Sequence, residues 1–232
     1  MDGLAGFLEG VRGLLLGRSA GQEAGAGATS PDEAPLRSPV LAVASVVRTR
    51  GSTPRKVGAR MLMDPLGGAR GTIGGGCGEA EVFGKAQRTL ATGEPQLIEV
   101  RLLEEEGFES ASICGGVLDG FVERLGSEIG GVDAAEFFDA VDTLRADGGA
   151  AVATIVAGEE MGRKILVDQR GDLVFQSGRE AFDSLVREAG LEAIERRTPL
   201  REVGPSGEVI FVEPLVEMPE VVVVGAGTSV RR

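Results

Sequence analysis

The two cysteines of this chain lie in glycine-rich segments, and they are its only soft nucleophiles, since the sequence contains no histidine. The segments read Gly74-Gly75-Gly76-Cys77 and Cys114-Gly115-Gly116. Cysteine reacts and binds metals as the thiolate, and glycine lets a ligand approach the backbone closely. The pattern therefore predicts thiol chemistry, or contact with a soft metal centre, at Cys77 and Cys114. Two cysteines without histidine fall short of a zinc site.

A predicted helix begins near Glu79, immediately after Cys77. The N-terminus of a helix offers unpaired N–H groups and a partial positive charge, and both favour a thiolate. The surrounding glycines would let backbone N–H groups converge on an anion such as a phosphate. The alternatives are a buried cysteine in a tight turn for Cys77 and a small core residue for Cys114. Glu79 is predicted to complement the helix dipole, with a catalytic role as its alternative.

Residues 48–58 form a basic loop in an acidic protein. Ser52, Thr53 and Arg55 have the side chains needed to hold a phosphate or a carboxylate, and a guanidinium can bind either one with two parallel hydrogen bonds. The alternative for these residues is an ordinary solvated hairpin loop.

The chain contains an internal repeat, whose copies we call repeat one (about 40–125) and repeat two (about 150–215). Val43–Val47 matches Val152–Val156, and Phe121–Leu125 matches Phe211–Leu215. Each copy is predicted to follow the order strand, strand, strand, helix, strand. We therefore predict an α+β fold in which two half-sheets are related by a pseudo-twofold axis.

The repeat also serves as an internal control for the cysteine segments. Where repeat one has Gly74–Cys77, repeat two reads Gly178-Arg-Glu-Ala181, and it has nothing like Cys114–Gly116. The same fold element is thus built without these segments. This comparison favours a functional role for them.

Outside the repeats, the sequence predicts several accessory segments. Residues 1–16 contain a short amphipathic helix at 5–16, and residues 17–39 have the Gly, Ala, Ser and Pro content of a flexible linker. A helix over 133–146, capped by Asp133, is predicted to join the repeats within one domain at 40–217. Residues 218–232 contain Val221–Gly227, which looks like the start of a truncated dinucleotide-binding unit.

The overall composition restricts the partners and the location. The net charge is −12, which argues against nucleic acid because phosphate backbones require a basic surface. No apolar run is long enough for a membrane span, and the N-terminus lacks the basic stretch of a secretory signal. With only two cysteines, a reducing, cytoplasmic location is predicted.

Taken together, the motifs of repeat one resemble the xanthine dehydrogenase accessory family, XdhC/CoxI. The resemblance rests on Gly51-Ser-Thr-Pro-Arg55, Gly58-Ala-Arg-Met61, Gly74–Cys77 with Glu79, and Cys114–Gly116, which occur in the family's order and spacing. It is strong over 40–125 and looser over 150–217. The family commonly has a bulkier residue than Gly78 after the first cysteine.

The resemblance implies a protein that binds molybdenum cofactor (molybdopterin) and helps to deliver its sulfurated form to a molybdenum hydroxylase. It implies contacts with that target enzyme and with a cysteine desulfurase, and a homodimer. Cys77, as a thiolate or persulfide, and Cys114 would supply the thiols and contact the molybdenum. The implied cofactor-binding set is Ser52, Thr53, Arg55, Gly74, Gly75, Gly76, Cys77, Glu79, Gly115 and Gly116.

Two other function classes remain open. Many relatives continue into a Rossmann domain, and the Gly225-Ala-Gly227 pattern hints at a fragment of an NAD(P)-linked oxidoreductase. That reading is opposed by the incomplete fingerprint. Thr228 stands where the family's Rossmann domain has a histidine, which is a departure from the family pattern. The third class is a non-catalytic assembly factor that bridges two proteins and whose cysteines are structural.

Overall fold

The computed structural model describes residues 3–16, 39–75, 77–101 and 116–216, and for Cys77 it describes the backbone alone. The predicted linker, Gly76, Cys114, Gly115 and the Val221–Gly227 stretch lie outside the described residues. The elements before and within repeat one are α1 (Gly3–Leu15), β1 (Leu41–Arg50), β2 (Arg60–Met63), β3 (Ala69–Gly71), α2 (Cys77–Thr92), β4 (Gln96–Arg101) and β5 (Val117–Leu125). A connecting segment holds β6 (Glu128–Ile129), β7 (Val132–Asp133) and α3 (Ala134–Ala146). Repeat two consists of β8 (Ala150–Ala157), β9 (Lys164–Asp168), β10 (Leu173–Val174), α4 (Glu180–Arg196), β11 (Leu200–Val203) and β12 (Val209–Leu215).

The two repeats have the same topology. Their antiparallel five-stranded sheets have the orders β3-β2-β1-β5-β4 and β10-β9-β8-β12-β11. The predicted α+β class and the internal repeat are therefore confirmed. Each repeat has one strand more than predicted, β4 or β11, between its helix and its closing strand. These two are edge strands that bury few side chains, and they lack the glycine turns that mark the other edge strands, β3 and β10, in the sequence.

Alternating side chains of the strands place each sheet between a helix and the other sheet. In β1, Ala42, Ala44 and Val46 pack with α2, whereas Val43 and Val47 belong to clusters that also contain residues of repeat two. In repeat two, the alternate residues of β8 pack with α4 in the same way. The period of two along a strand thus gives four layers in the order helix, sheet, sheet, helix.

The accessory helices close the core between the sheets. Phe7, Leu8 and Val11 of α1 are buried there, as are Phe137 and Phe138 of α3. The predicted cap of α3 is confirmed, because an Asp133 carboxylate oxygen accepts hydrogen bonds from the backbone N–H groups of two residues in the first turn, at 2.9 and 3.2 Å. None of the helices in the described ranges combines the length and the apolar character that a membrane span requires.

Two ion pairs cross between the repeats at equivalent positions. Arg60 of repeat one pairs with Glu213 of repeat two, and Lys164 Nζ of repeat two lies 2.8 Å from Glu123 Oε1 of repeat one. The four side chains are only 9–12% exposed. Arg60 and Lys164 begin the matching strands β2 and β9, and the two glutamates lie in the matching strands β5 and β12. This reciprocity is what a twofold relation between the repeats requires.

Candidate functional site

Three of the motifs singled out in the sequence meet at one corner of repeat one. A Cβ atom placed on buried Gly116 would lie 2.1 Å from the carbonyl oxygen of Ser52 and 2.7 Å from Cγ2 of Thr53. A Cβ atom on Gly74 would lie 3.0 Å from Cγ of Pro54. Glycine permits such close approach, so Gly116 packs against the backbone of Ser52, and Gly74 packs against the ring of Pro54. We call residues 51–55, 72–75 and 116 corner one.

The glycine loop of corner one is held by a carboxylate from the helix that follows it. Glu79 Oε1 accepts hydrogen bonds from the backbone N–H groups of Ile73 at 3.1 Å, Gly74 at 3.3 Å and Gly75 at 2.9 Å, and from the hydroxyl of Thr72. Glu79 lies in the first turn of α2, so its side chain reaches back along the chain to the preceding loop. The loop is thereby tied to the helix.

These hydrogen bonds also determine the ionisation of Glu79. Partial burial raises its pKa, but the Thr72 hydroxyl and the N–H groups of Gly75, Ile73 and Gly74 together outweigh burial and lower the pKa below the usual value. The carboxylate is therefore charged at neutral pH.

The same hydrogen bonds engage the N–H groups of the glycine loop that were predicted to bind an anion. The sequence predicted that its N–H groups would surround an external anion such as a phosphate. In the structure, the N–H groups of Ile73, Gly74 and Gly75 donate to Glu79 instead. On the side where a Cβ atom of Gly75 would point, no atom of the described residues lies within 4 Å. The described part of the loop thus has space beside Gly75, but its N–H groups already donate to Glu79.

The basic loop supplies an exposed cation to corner one. Ser52 and Arg55 are exposed, and the hydroxyl of Thr53 donates to the carbonyl oxygen of Arg55 at 2.9 Å. Thr53 therefore helps to shape the loop that carries Arg55. Within the described residues, Arg55 makes no ion pair.

The neighbouring arginines of β1 are engaged elsewhere. Arg50 lies 2.7 Å from Glu99 and 3.1 Å from Asp119, and Arg48 lies 3.9 Å from Asp119. The hydrogen bond with Glu99 raises the pKa of Arg50, and the one from Arg50 lowers the pKa of Glu99. Of the arginines in this part of β1 and its loop, Arg55 alone has no ion-pair partner among the described residues.

Of the two cysteines, the structure describes only the backbone of Cys77. Cys77 is the first residue of α2, as its predicted place beside a helix N-terminus requires. Its side chain and all of Cys114 lie outside the described residues, as do Gly76 and Gly115. Gly116, which follows the second cysteine segment, is packed into corner one. Elsewhere in the described chain, no group of three Asp, Glu or Cys residues is arranged to hold a metal ion.

Repeat two has an equivalent corner, which we call corner two: residues 158–163, 177–179 and 208. Here Asp183 of α4 performs the task of Glu79, accepting hydrogen bonds from Ser177 N at 2.9 Å, Ser177 Oγ at 2.7 Å and Gly178 N at 3.0 Å. The guanidinium of Arg179 then pairs with Glu208 and lies 3.4 Å from Glu160. Corner two is thus filled by the protein's own ion pairs.

The ion pairs of corner two affect the ionisation of Glu208, whose residue is only 2% exposed. The hydrogen bond from Arg179, supported by backbone N–H groups, lowers the pKa of Glu208 against the opposing effect of burial. The guanidinium of Arg179 also lies 4.2 Å from the ring centroid of Phe182. These contacts fix the Arg179 side chain from several sides.

Sequence reasoning missed the two loop-holding carboxylates and the crossed ion pairs. A signal for the crossed pairs was present, because basic Arg60 and Lys164 and acidic Glu123 and Glu213 occupy matching positions in the two repeats. The carboxylates had a weaker signal, an acid in the first turn of each repeat helix, which the helix dipole already explains.

A groove of about 630 Å³ lies away from corner one, between the end of β5, the β6–β7 turn and the β8–β9 loop. None of the predicted site residues lines it. Two of its cations, Lys164 and Arg163, already pair with carboxylates in the groove wall, Glu123 and Glu160. The groove is therefore separate from the predicted site.

Comparison with known proteins agrees with the resemblance read from the motifs. Residues 39–101 match the model of the XdhC and CoxI family. Escherichia coli (strain K12) YqeB, an uncharacterized protein, is 37% identical over 86 residues, which cover 37% of this chain and 16% of YqeB. A crystal structure described as a xanthine dehydrogenase from Bacillus halodurans has a similar fold, with a TM-score of 0.53 and 18% identity over 76% of this chain and 48% of that one.

These comparisons confirm the XdhC/CoxI resemblance for residues 39–101, the segment that contains the basic loop, the glycine loop and Glu79. The likeness to the Bacillus halodurans structure shows the fold. The chain spans less than half the length of either relative that it matches.

Proposed function

We propose that this chain is an accessory protein that binds molybdenum cofactor at corner one and helps to sulfurate and insert it into a xanthine dehydrogenase-type molybdenum hydroxylase. The family match of residues 39–101 supports an accessory role. The observation that carries the cofactor proposal is the meeting of the family motifs at Ser52, Pro54, Gly74 and Gly116. Motifs far apart in sequence are thus brought to a single place.

The charges of corner one favour an anionic ligand. Exposed Arg55 has no ion-pair partner among the described residues, and Glu79, the carboxylate of corner one, is already engaged by its own loop. Molybdenum cofactor carries a phosphate, which a guanidinium can bind through two parallel hydrogen bonds. When bound, the cofactor supplies a metal centre with an exchangeable sulfur ligand.

Each residue of the site has a proposed part. Arg55 and the Ser52 hydroxyl bind the phosphate, and Thr53 holds the Arg55 loop in shape. Gly74 and Gly116 let the loops pack closely, and Gly75 leaves room for the pterin. Cys77 and Cys114 are proposed to contact the molybdenum, and Gly76 and Gly115 to keep the backbone beside them open.

Sulfur delivery requires a donor, and a cysteine desulfurase carrying a persulfide is the proposed one. The Cys77 thiolate attacks the terminal sulfur of that persulfide and forms a new S–S bond. The old S–S bond breaks, and the desulfurase thiolate leaves with the electron pair. Cys77 then carries the persulfide sulfur, and no external oxidant or reductant is needed.

The proposal also includes a target enzyme, an assembly state and a location. A molybdenum hydroxylase is the target of delivery, a homodimer is the assembly state, and the cytoplasm is the location. The proposal describes a carrier with a sulfur-transfer step, and turnover catalysis is not part of it.

The test is anaerobic loading of the purified chain with molybdenum cofactor, followed by desalting. Molybdenum per protomer and absorbance above 300 nm are measured for the wild type, Cys77→Ala and Cys114→Ala. Because the chain has no Trp or Tyr, absorbance in that range reports the bound pterin. We expect stoichiometric molybdenum in the wild type and a loss in Cys77→Ala. A wild-type chain that retains neither metal nor pterin would favour the assembly-factor class.

A further inference from the structure

We propose that Glu79 is a positioning residue: its carboxylate fixes the path of the glycine loop that leads into Cys77. This inference rests on the proposed function, because it assigns Glu79 an indirect part in cofactor binding at corner one. The group acts through the loop backbone and not through the chemistry of the ligand.

Hydrogen bonds to Glu79 hold the glycine loop of corner one. Four donors from consecutive residues, Thr72 to Gly75, converge on the single oxygen Oε1 of Glu79. The N–H group of Gly74 also donates to the hydroxyl oxygen of Thr72, at 3.2 Å, but Glu79 is the one acceptor that all four residues share. The loop conformation therefore depends chiefly on this carboxylate.

The two glycines of the loop, Gly74 and Gly75, have unusual backbone conformations. Gly74 has φ 153° and Gly75 has φ 80°, which are backbone conformations that other residues rarely adopt. Gly74 is wedged against Pro54, whereas no atom of the described residues lies within 4 Å of the position where a Cβ atom of Gly75 would be. The described side-chain contact that holds the Gly75 backbone is its hydrogen bond to Glu79, at 2.9 Å.

In repeat two, a carboxylate holds the corresponding loop in the same way. Gly178 has φ 78° and is likewise open on its Cβ side, and Asp183 accepts the N–H groups of Ser177 and Gly178. There the fixed loop presents Arg179 to Glu208. In repeat one the fixed loop leads through Gly76 to Cys77. The two carboxylates thus share a structural task, and only one of them serves the proposed cofactor site.

This difference provides a matched control. Glu79→Ala removes the loop-holding carboxylate from corner one, and Asp183→Ala removes its counterpart from corner two. Glu79→Gln and Asp183→Asn keep the size of each side chain while removing its charge, so they answer the question if an alanine variant fails to fold. Thermal unfolding of every variant shows how much stability each carboxylate provides.

The experiment combines two readouts. Hydrogen–deuterium exchange reports the protection of amides 73–75 and 177–178, and molybdenum per protomer after cofactor loading reports the site. We expect Glu79→Ala to speed exchange at 73–75 by about tenfold or more, since the lost bonds are to a charged acceptor. We expect it to reduce retained molybdenum, with Glu79→Gln showing a smaller effect in both readouts.

The control should separate positioning from general stability. Asp183→Ala should speed exchange at 177–178 and lower the unfolding temperature, while retained molybdenum stays at the wild-type level. Equal molybdenum loss in the two alanine variants would overturn the inference, and so would unchanged exchange at 73–75 in Glu79→Ala. A wild-type chain that holds no molybdenum would defeat the proposed function, and the exchange data would still decide whether Glu79 holds the loop.

Discussion

Corner one and corner two have the same backbone scaffold but differ in the side chains that it carries. In both, a carboxylate from the first turns of the repeat helix holds the preceding loop, through Glu79 or Asp183. In corner two, Arg179 then fills the space and pairs with Glu208. In corner one, glycines occupy the close-packed positions and Arg55 stays exposed. Corner two places Arg179 beside two carboxylates, whereas Arg55 of corner one has no ion-pair partner among the described residues.

This difference shows where function can be separated from fold within a single chain. Whatever the repeats share is sufficient to build the sheet, the turn and the helix, so shared features are explained by stability. The turn after β2 and the turn after β9 are an example, since Asp64 and Asp168 each accept two backbone N–H groups in the same pattern. Features that only repeat one possesses are not required by the shared scaffold, and for this reason the proposed ligand site is placed there.

The shared scaffold is broken most severely at the crossed ion pairs. Lys164→Met should lower the free energy of unfolding by about 3–5 kcal/mol, because it leaves the nearly buried Glu123 without its partner. Arg60→Met should cost a similar amount through Glu213 if the repeats are truly equivalent. Urea unfolding provides the measurement. Arg196→Met, at the exposed pair with Glu192, is the control and should change stability by less than about 1 kcal/mol.

The double variant Lys164→Met with Glu123→Gln sharpens this result. Removing the stranded charge should restore much of the lost stability, since an unpaired buried carboxylate is the main source of the cost. If the double variant were as unstable as the sum of both single variants, the crossed pair would not explain the effect.

The packing that is particular to corner one is broken at Gly116. Gly116→Ala places a Cβ atom 2.1 Å from the Ser52 carbonyl oxygen, so the loops must separate, at a cost of about 3 kcal/mol. Gly84→Ala is the matched control: it lies in α2 with no atom within 4 Å of the new Cβ, and should stabilise the helix by about 1 kcal/mol. Chemical unfolding compares the two. A neutral Gly116→Ala would mean that the three loops do not meet as described.

Corner two is tested by the pH dependence of its ion pairs. The pKa of Glu208 is lowered in the folded protein, so its contribution to stability is present above its unfolded pKa, near 4.5, and is lost as pH falls through the folded value. Arg179→Met should therefore lower the unfolding temperature at pH 7, and the difference from wild type should shrink as the medium is acidified. A difference that is the same at pH 7 and pH 3 would contradict this role of the Arg179–Glu208 pair.

Much of the fold was accessible from the sequence because repetition amplifies weak patterns. The strands β1 and β8, the four helices and the Asp133 cap could be predicted from periodicity, repeated motifs and capping chemistry. The edge strands β4 and β11 were missed because they bury few side chains and no glycine turn joins them to a preceding strand, as one does for β3 and β10. The face-to-face packing of the two sheets depends on contacts between residues far apart in sequence, which local patterns do not encode.

The sequence singled out the segments that meet at corner one but not the contacts between them, and the roles of these residues in binding stay a prediction. The motif spacing pointed to Ser52, Arg55 and the glycine loop, and the structure brings these segments together. It did not reveal that Glu79 reaches backwards to take the N–H groups of Gly74 and Gly75, because a first-turn acid also fits the helix dipole. Whether Cys77 and Cys114 share the corner stays a prediction.

The most direct test of corner one as an anion site is the affinity of molybdenum cofactor for Arg55→Gln and for Arg170→Gln. Both arginines are exposed in turns between strands and neither makes an ion pair within the described residues, so the two variants change net charge equally. Anaerobic titration followed above 300 nm should show about 10- to 100-fold weaker binding for Arg55→Gln, the effect of losing a charged hydrogen-bonded pair. Arg170→Gln should bind like the wild type. Equal affinities for the two variants would contradict the assignment of the cofactor to corner one.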